Sequence, residues 1–429
     1  MRTTAGIFSI GLMAATWLPT SIAQQPEDSL DAPITLETAM TLALNNPVLD
    51  AAGEANLKAA EARLDAAGLL PSPEFRMTYD DRWTGETGRE YAIRLSPPNP
   101  WLRKALQDEG ELGINFARVQ LAGIRWASAI ETRKAFYEAL QTSKLTALAQ
   151  LEQQTASEKK SLYETLLTNG QTTLPEVLEV RLEGITVAAN LEAAQRNASN
   201  AMNRLLARTG LKPESGQALV GDFEVPPPGV KTLDAEGLFL NYAAQHPLLA
   251  GLQLQADMAG ARAQQTTARN RIWFNFLQAG YSENSNWWEE EDWRFRAGIN
   301  IPIFDLQGKA SRVPKAEQEA LAAQVKLLRQ QSLVNLTEAL ANLKVAAHSL
   351  QQAGEISDAV AEEVRKTLAE DAGAAEPMLP PQTRFRLQEG LQRIQTSKLA
   401  NAYRYQQAVI ALEEVLGKPF QSLLERSGQ

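Results

Sequence analysis

The 429-residue chain has a formal charge of −9, a pI near 5.1 and no run of Lys or Arg, which excludes nucleic acid as a partner. It has no cysteine, so disulfides, thiolate metal sites, Cys nucleophiles and lipidation of an N-terminal Cys are excluded; two histidines, His246 and His348, are too few for a His-based metal centre. A hydrophobic content of 44% with a mean hydropathy of −0.28 describes a folded chain, neither disordered nor a bundle of membrane helices.

Residues 1–23 read as an export signal. Met1-Arg2 is a short basic start, Ala5 to Leu18 an apolar stretch too short to span a bilayer as a helix, and Ser21-Ile22-Ala23 a small-residue cleavage site before Gln24. Beyond it no apolar run is long enough for a transmembrane helix, so the mature chain is either soluble outside the cytoplasm or crosses a membrane as strands.

After a linker, 24–33, one pattern runs twice, at an offset of about two hundred residues. The first repeat is 34–213; a second linker, 214–231, leads to the second repeat, 232–419, and a tail, 420–429. Asn46-Pro47-Val48-Leu49 answers to His246-Pro247-Leu248-Leu249, an N-cap followed by proline at the first helical position. An alanine-rich helix follows in each copy. Two alternating runs come next, predicted as strands at about 72–82 and 89–97, then about 273–283 and 292–303. From Trp293 to Ile303, Trp, Phe, Ala and Ile point one way while Arg294, Arg296, Gly298, Asn300 and Pro302 point the other. The register around Trp273-Phe274-Asn275-Phe276 is ambiguous. Arg76, Arg94, Arg294 and Arg296 share the polar face, which fits a barrel lumen, whereas Trp and Tyr near strand ends fit a lipid interface. Four strands cannot close a barrel, and an open edge in lipid leaves backbone groups unpaired, so closure must come from other chains; three copies would supply twelve strands.

Very long helices follow, about Leu102 to Leu166 and Ser311 to Ala369, each on the order of 100 Å at ~1.5 Å per residue. Leu321, Val325 and Leu328, and then Leu336, Leu340, Leu343, Ala347 and Leu350, step by three and four within each run as a coiled-coil seam. The return helices carry Leu178, Leu182, Ile185 and Ala189, and Leu387, Leu391 and Ile394, with the same stepping. Gly170 and Gly373 mark the hairpin tips and are expected to take positive φ.

These residues resemble the TolC-like outer-membrane factors of tripartite efflux and type I secretion systems, over nearly all of the mature chain. The carriers are Ala43-Leu44-Asn45-Asn46-Pro47 and Ala243-Ala244-Gln245-His246-Pro247, the strand exits Ser96-Pro97 and Ile301-Pro302-Ile303-Phe304, the turn from Gly170 to Leu178, and Leu416-Gly417 before Lys418-Pro419. The resemblance implies a mainly α fold with a transmembrane β portion. Long coiled-coil hairpins would form a periplasmic tunnel, and four β-strands per chain would contribute to a twelve-stranded barrel in a homotrimer. It implies location in the outer membrane and extension into the periplasm, no cofactor and no catalysis. The implied partners are outer-membrane lipid, a periplasmic adaptor (membrane fusion protein) and an inner-membrane pump. At the second tip, Glu370, Asp371 and Glu376 become constriction candidates; Gly170, Gln171, Leu174 and Gly373 become contacts for adaptor or pump. The chain departs from the family in lacking a lipid-bearing Cys, in reading Asn99-Pro100-Trp101-Leu102 at the first strand exit, and in a longer, proline-bearing second tip from Glu370 to Gln382.

Two other classes of protein fit the sequence less well. A periplasmic coiled-coil adaptor or scaffold would also carry helical hairpins, but the glycine-rich β segments of its flanking modules are missing here. An enzyme would need a convergent set of groups, and none is found. Glu289-Glu290-Glu291-Asp292 reads as a solvated loop, and His246 as a helix cap rather than a ligand.

Overall fold

A computed structural model describes residues 33–81, 87–211, 218–227, 230, 233–284, 292–301, 309–373 and 379–420. The export signal, the loop acids 289–291 and Glu376 lie outside the described residues. The elements run α1 (Leu36–Leu44), α2 (Pro47–Gly68), β1 (Glu74–Asp81), β2 (Thr87–Leu95), α3 (Pro100–Thr168) and α4 (Leu174–Thr209). The second round is α5 (Ala235–Asn241), α6 (Pro247–Arg269), β3 (Trp273–Asn284), β4 (Asp292–Asn300), α7 (Arg312–Gly373) and α8 (Pro381–Leu416). The order helix, hairpin, long helix, return helix therefore occurs twice.

Local chemistry sets the boundaries. Asn99 caps α3, its Oδ1 accepting from Trp101 N at 3.0 Å and Leu102 N at 3.1 Å, with Pro100 at the first helical position. With 69 residues, α3 is on the order of 100 Å long. It turns at Gly170, whose φ of 71° needs no Cβ, and Thr173 with Glu176 forms a capping box that starts α4. Helices α4 and α8 both end on a left-handed glycine, Gly210 at φ 75° and Gly417 at φ 71°. Gly373 differs from the expectation: it is the last residue of α7 and is not among the positive-φ glycines.

Near the sheet the helices lie side by side in the order α2, α3, α6, α7; farther away the order is α4, α3, α8, α7. Both orders are open arcs. Two apolar clusters sit between, one built on Phe136, Tyr137, Leu140, Leu205 and Leu206, the other on Leu336, Leu343, Tyr405, Val409 and Leu412. A buried ion cluster joins them across the two repeats. Arg133 donates to Glu413 Oε1 at 2.7 Å and Oε2 at 2.9 Å, and to Glu224 Oε1 at 2.8 Å; Tyr137 donates to the same Glu224 oxygen at 3.1 Å. Phe420 N donates to Glu413 at 2.7 Å, so inter-repeat linker and C-terminal segment meet at one guanidinium. Burial pushes the Glu413 carboxyl above its usual range, with Arg133 opposing that shift.

His246 performs the capping expected of it. Its Nδ1 accepts from Leu248 N at 3.1 Å, while Nε2 lies 3.2 Å from the Glu414 carbonyl oxygen. An accepting Nδ1 is an unprotonated Nδ1, so the cap needs the neutral ring. Burial, the largest influence, holds the imidazole pKa below its ordinary 6.5. The stability from the neutral ring is complete above the unfolded pKa and is lost as pH falls through the lower folded value. Replacing His246 by Asn, the residue at the matching position 46, should keep the cap and flatten that acid-side loss in thermal unfolding measured from pH 7 to pH 5. Parallel loss of stability in both proteins would place the titration elsewhere.

Candidate functional site

The sheet is a four-stranded antiparallel meander in the order β1, β2, β3, β4. Its pairing makes Phe75, Ile93, Ala279 and Phe295 one cross-strand row and Met77, Tyr91, Tyr281 and Trp293 another. Every member lies on a single face. Phe75, Trp293 and Phe295 are 70, 69 and 79% exposed, which water penalises in a lone chain. The row of Tyr91, Tyr281 and Trp293 marks the hairpin end, with the Tyr281 and Trp293 rings 5.6 Å apart. Phe274, on the same face, marks the helix end. The seven residue steps from Phe274 to Tyr281 span about 23 Å at ~3.3 Å each, close to the apolar band of a membrane strand.

The opposite face carries Arg76, Arg94, Arg294 and Arg296, together as the alternation predicts. Arg296 pairs with Glu90 at 3.1 Å, Gln278 also donates to Glu90, and Arg76 pairs with Glu74 at 2.9 Å. The ambiguous segment resolves through a bulge between Phe274 and Phe276. Phe274 pairs with Ile299 on the apolar side, whereas Phe276 pairs with Gly298 on the polar side. A Cβ on Gly298 would overlap the Phe276 ring, and Arg94 stacks 3.9 Å from that ring's centroid. The signal for this was Gly298 itself, a strand glycine in an otherwise side-chain-rich run.

At the far end of the helices, Leu174 is exposed at the start of α4, and Gln171 N donates to the Leu166 carbonyl at 2.8 Å across the Gly170 turn. The second tip departs from a ring of three free acids. Glu370 is exposed, but Asp371 is 4% exposed and engaged within its own chain. Its Oδ1 accepts from Leu379 N at 2.7 Å and its Oδ2 from Arg384 Nε at 3.1 Å, so this carboxylate ties α7 to the start of α8. Glu376 lies outside the described residues.

The α4 seam also differs from the expectation. Val177, Val180, Ala201, Leu205 and Leu206 are buried within the chain, while Leu178, Leu182 and Ile185 are exposed. Helix α7 has the same double character. Its predicted residues Val325, Leu336, Leu340, Leu343 and Ala347 are buried, and a second stripe, Val334, Val345 and Ile356, is exposed at 11-residue spacing. The reading from sequence missed that second stripe, although its period was there to be counted. Since α4 and α7 end the arc, each presents apolar residues at an open edge. Among the described residues no helix is long and apolar enough to cross a membrane, and no three His, Asp or Glu side chains are grouped to hold a metal.

A mainly α chain, with long helical hairpins in open arcs and a four-stranded sheet apolar on one face, has the subunit fold of outer membrane channels. It is similar to the structure of CusC, described in terms of transmembrane channel formation, with a TM-score of 0.68 at 15% identity over 92% of this chain and 95% of that one. It is similar to the outer membrane protein VceC of Vibrio cholerae, with a TM-score of 0.66 at 16% identity over 90% and 96%. For the CmeC outer membrane channel of Campylobacter jejuni the values are 0.68 and 11%, over 100% and 97%. No protein-family model matches the sequence, and no curated protein matches it.

If the apolar face lies against lipid, Ile299→Arg should destabilise the membrane-inserted protein by about 2–4 kcal/mol near the midplane, while Arg296→Gln on the other face should fold normally. Unfolding in lipid vesicles reads this, and equal tolerance of both changes would put the sheet in water.

Proposed function

We propose that this chain is the exit duct of a tripartite efflux or type I secretion system: a passive outer-membrane channel that extends into the periplasm. The observation that carries this reading is the sheet, apolar on one face from Phe274 up to the row of Met77, Tyr91, Tyr281 and Trp293 and charged on the other, with β1 and β4 as open edges. In lipid an open edge leaves N–H and C=O groups without partners, so the strands close only with other copies. Three chains of four strands make a twelve-stranded barrel with the apolar face outward and Arg76, Arg94, Arg294 and Arg296 toward the lumen. The arc of helices closes the same way. The exposed apolar residues of α4 and of α7 lie at the two ends of the arc, so packing α4 of one copy against α7 of the next would cover each stripe at its own height along the tunnel. An adaptor that stayed out of the membrane would leave the sheet's apolar face exposed.

No catalytic step is assigned, and transport energy would come from an inner-membrane pump joined by a periplasmic adaptor at the tips, around Gly170, Gln171, Leu174 and Gly373. The export signal at 1–23 and the missing lipid-bearing Cys fit a barrel held by its strands alone. Cargo is best approached by deleting the gene and screening sensitivity to metals and drugs.

The deciding experiment is fractionation with mass measurement. The native protein should sediment with outer membrane and run as a heat-sensitive trimer. Leu182→Asp with Ile185→Asp should abolish the trimer band, whereas Val180 changes should act through the fold of one chain. A stable monomer or dimer of the wild-type chain would remove the barrel.

At the tip, threefold symmetry would place three Glu370 carboxylates around the axis. At a separation of ~8 Å, like charges repel by about 2 kcal/mol at an effective dielectric near 20, which a bound cation relieves. Glu370→Gln should therefore lower cation selectivity and weaken block by trivalent cations in planar-bilayer recordings. Asp371→Asn should instead alter resting conductance, because it frees Arg384 and the turn. Loss of block on neutralising Glu289 to Asp292, with Glu370→Gln silent, would put the constriction at the other end.

A further inference from the structure

Just below the sheet, α3, α6 and α7 enclose an open recess of about 470 Å³. Lys104, Arg271 and Lys315 line it, against the single carboxylate of Asp108. Trp101 forms one wall; Arg271 stacks over it at 5.0 Å, and the Trp273 ring meets its edge at 5.5 Å and 87°. Lys104, Lys315 and Asp108 take part in no ion pair among the described residues, although paired charges are common along the helices.

The placement is electrostatically unfavourable as it stands. The N-termini of both longest helices, α3 and α7, open here, and neither has an acidic residue in its first turn. Lysines close to two positive helix ends raise the local potential instead of offsetting it. An anion relieves three cations and two dipoles at once, and the tryptophan wall suits a flat apolar body beside it.

Register sets the side from which the recess is reached. Trp273 pairs with Asn300, two and four residues along β4 from Gly298 and Arg296, so it stands on the polar face. Trp101, packed against Trp273, belongs to the same side. We propose that this recess binds an anionic group carried on an aromatic or apolar body, reached from the duct: a cargo-contact site at the junction of barrel and tunnel. This rests on the reading of the polar face as the duct lining.

The test is calorimetric titration of naphthalene-2-sulfonate into the full protein in nanodiscs of phosphatidylcholine. Wild type should bind, and inorganic phosphate, which lacks the ring, should bind more weakly. Lys104→Gln with Lys315→Gln should lower sulfonate affinity by about tenfold or more, as expected for two lost charge-assisted contacts. Lys104→Arg with Lys315→Arg should keep it and shows that the positions tolerate change. Equal affinity of wild type and the Gln pair overturns the site. So does absence of sulfonate binding when phosphatidylglycerol is retained in native mass spectra by wild type alone, since the recess would then serve membrane lipid. Calorimetry does not depend on conductance, so a protein that binds sulfonate but conducts no ions would sink the duct reading separately.

Discussion

A β-strand cannot end its hydrogen bonding in hydrocarbon, and the rest of this molecule follows from that constraint. The sheet has four strands, too few to close, and its cross-strand rows from Phe75 to Phe295 and from Met77 to Trp293 turn their apolar side chains to one side. With β1 and β4 open, the backbone needs partners that this chain does not have. The helices inherit the condition, because α2 and α7 stand beneath the sheet's edges and α4 and α7 end the arc farther down. Apolar stripes on α4 and α7 are then the helical form of the same unmet requirement. A soluble sheet resting on helices would have turned its apolar face inward.

Holding such an elongated chain together falls to its middle. Helices about 100 Å long expose too much surface to share one core, so each repeat keeps its own cluster of aromatic and leucine side chains. Arg133 bridges them, drawing Glu413 from the end of the second repeat and Glu224 from the linker onto one side chain. Removing one partner of such a buried set leaves a desolvated charge, a far larger loss than any exposed pair along the helices represents. The geometry thereby fixes how one repeat sits on the other.

The two repeats are alike in plan and unlike in detail, and the differences cluster where they touch something. Asn46 became His246, whose ring spans from the α6 N-terminus to the end of α8 and lies against Gly417; a Cβ there would meet the ring. The first tip turns on a single left-handed glycine, while the second is longer and tied by Asp371 to Arg384. A duct built from three copies of this chain would alternate two kinds of tip around its rim.

The sequence by itself determined what depends on neighbours along the chain: the duplication, the strands from period-two alternation, the helix starts at Pro47 and Pro247, and the shared face of the four arginines. Each is a matter of φ restriction, capping or a fixed side-chain period, which adjacent residues settle without help. Only the tertiary structure decided which of two apolar stripes on α4 and α7 is internal, since both step by helical periods and differ only in what lies opposite. It also decided the slip between Phe274 and Phe276, where a bulge changes the facing of a strand at no cost to its composition. Asp371 is the plainest case. An acid near a turn is equally suited to solvent or to a partner, and Arg384, 13 residues on, reaches it only once α8 has folded back.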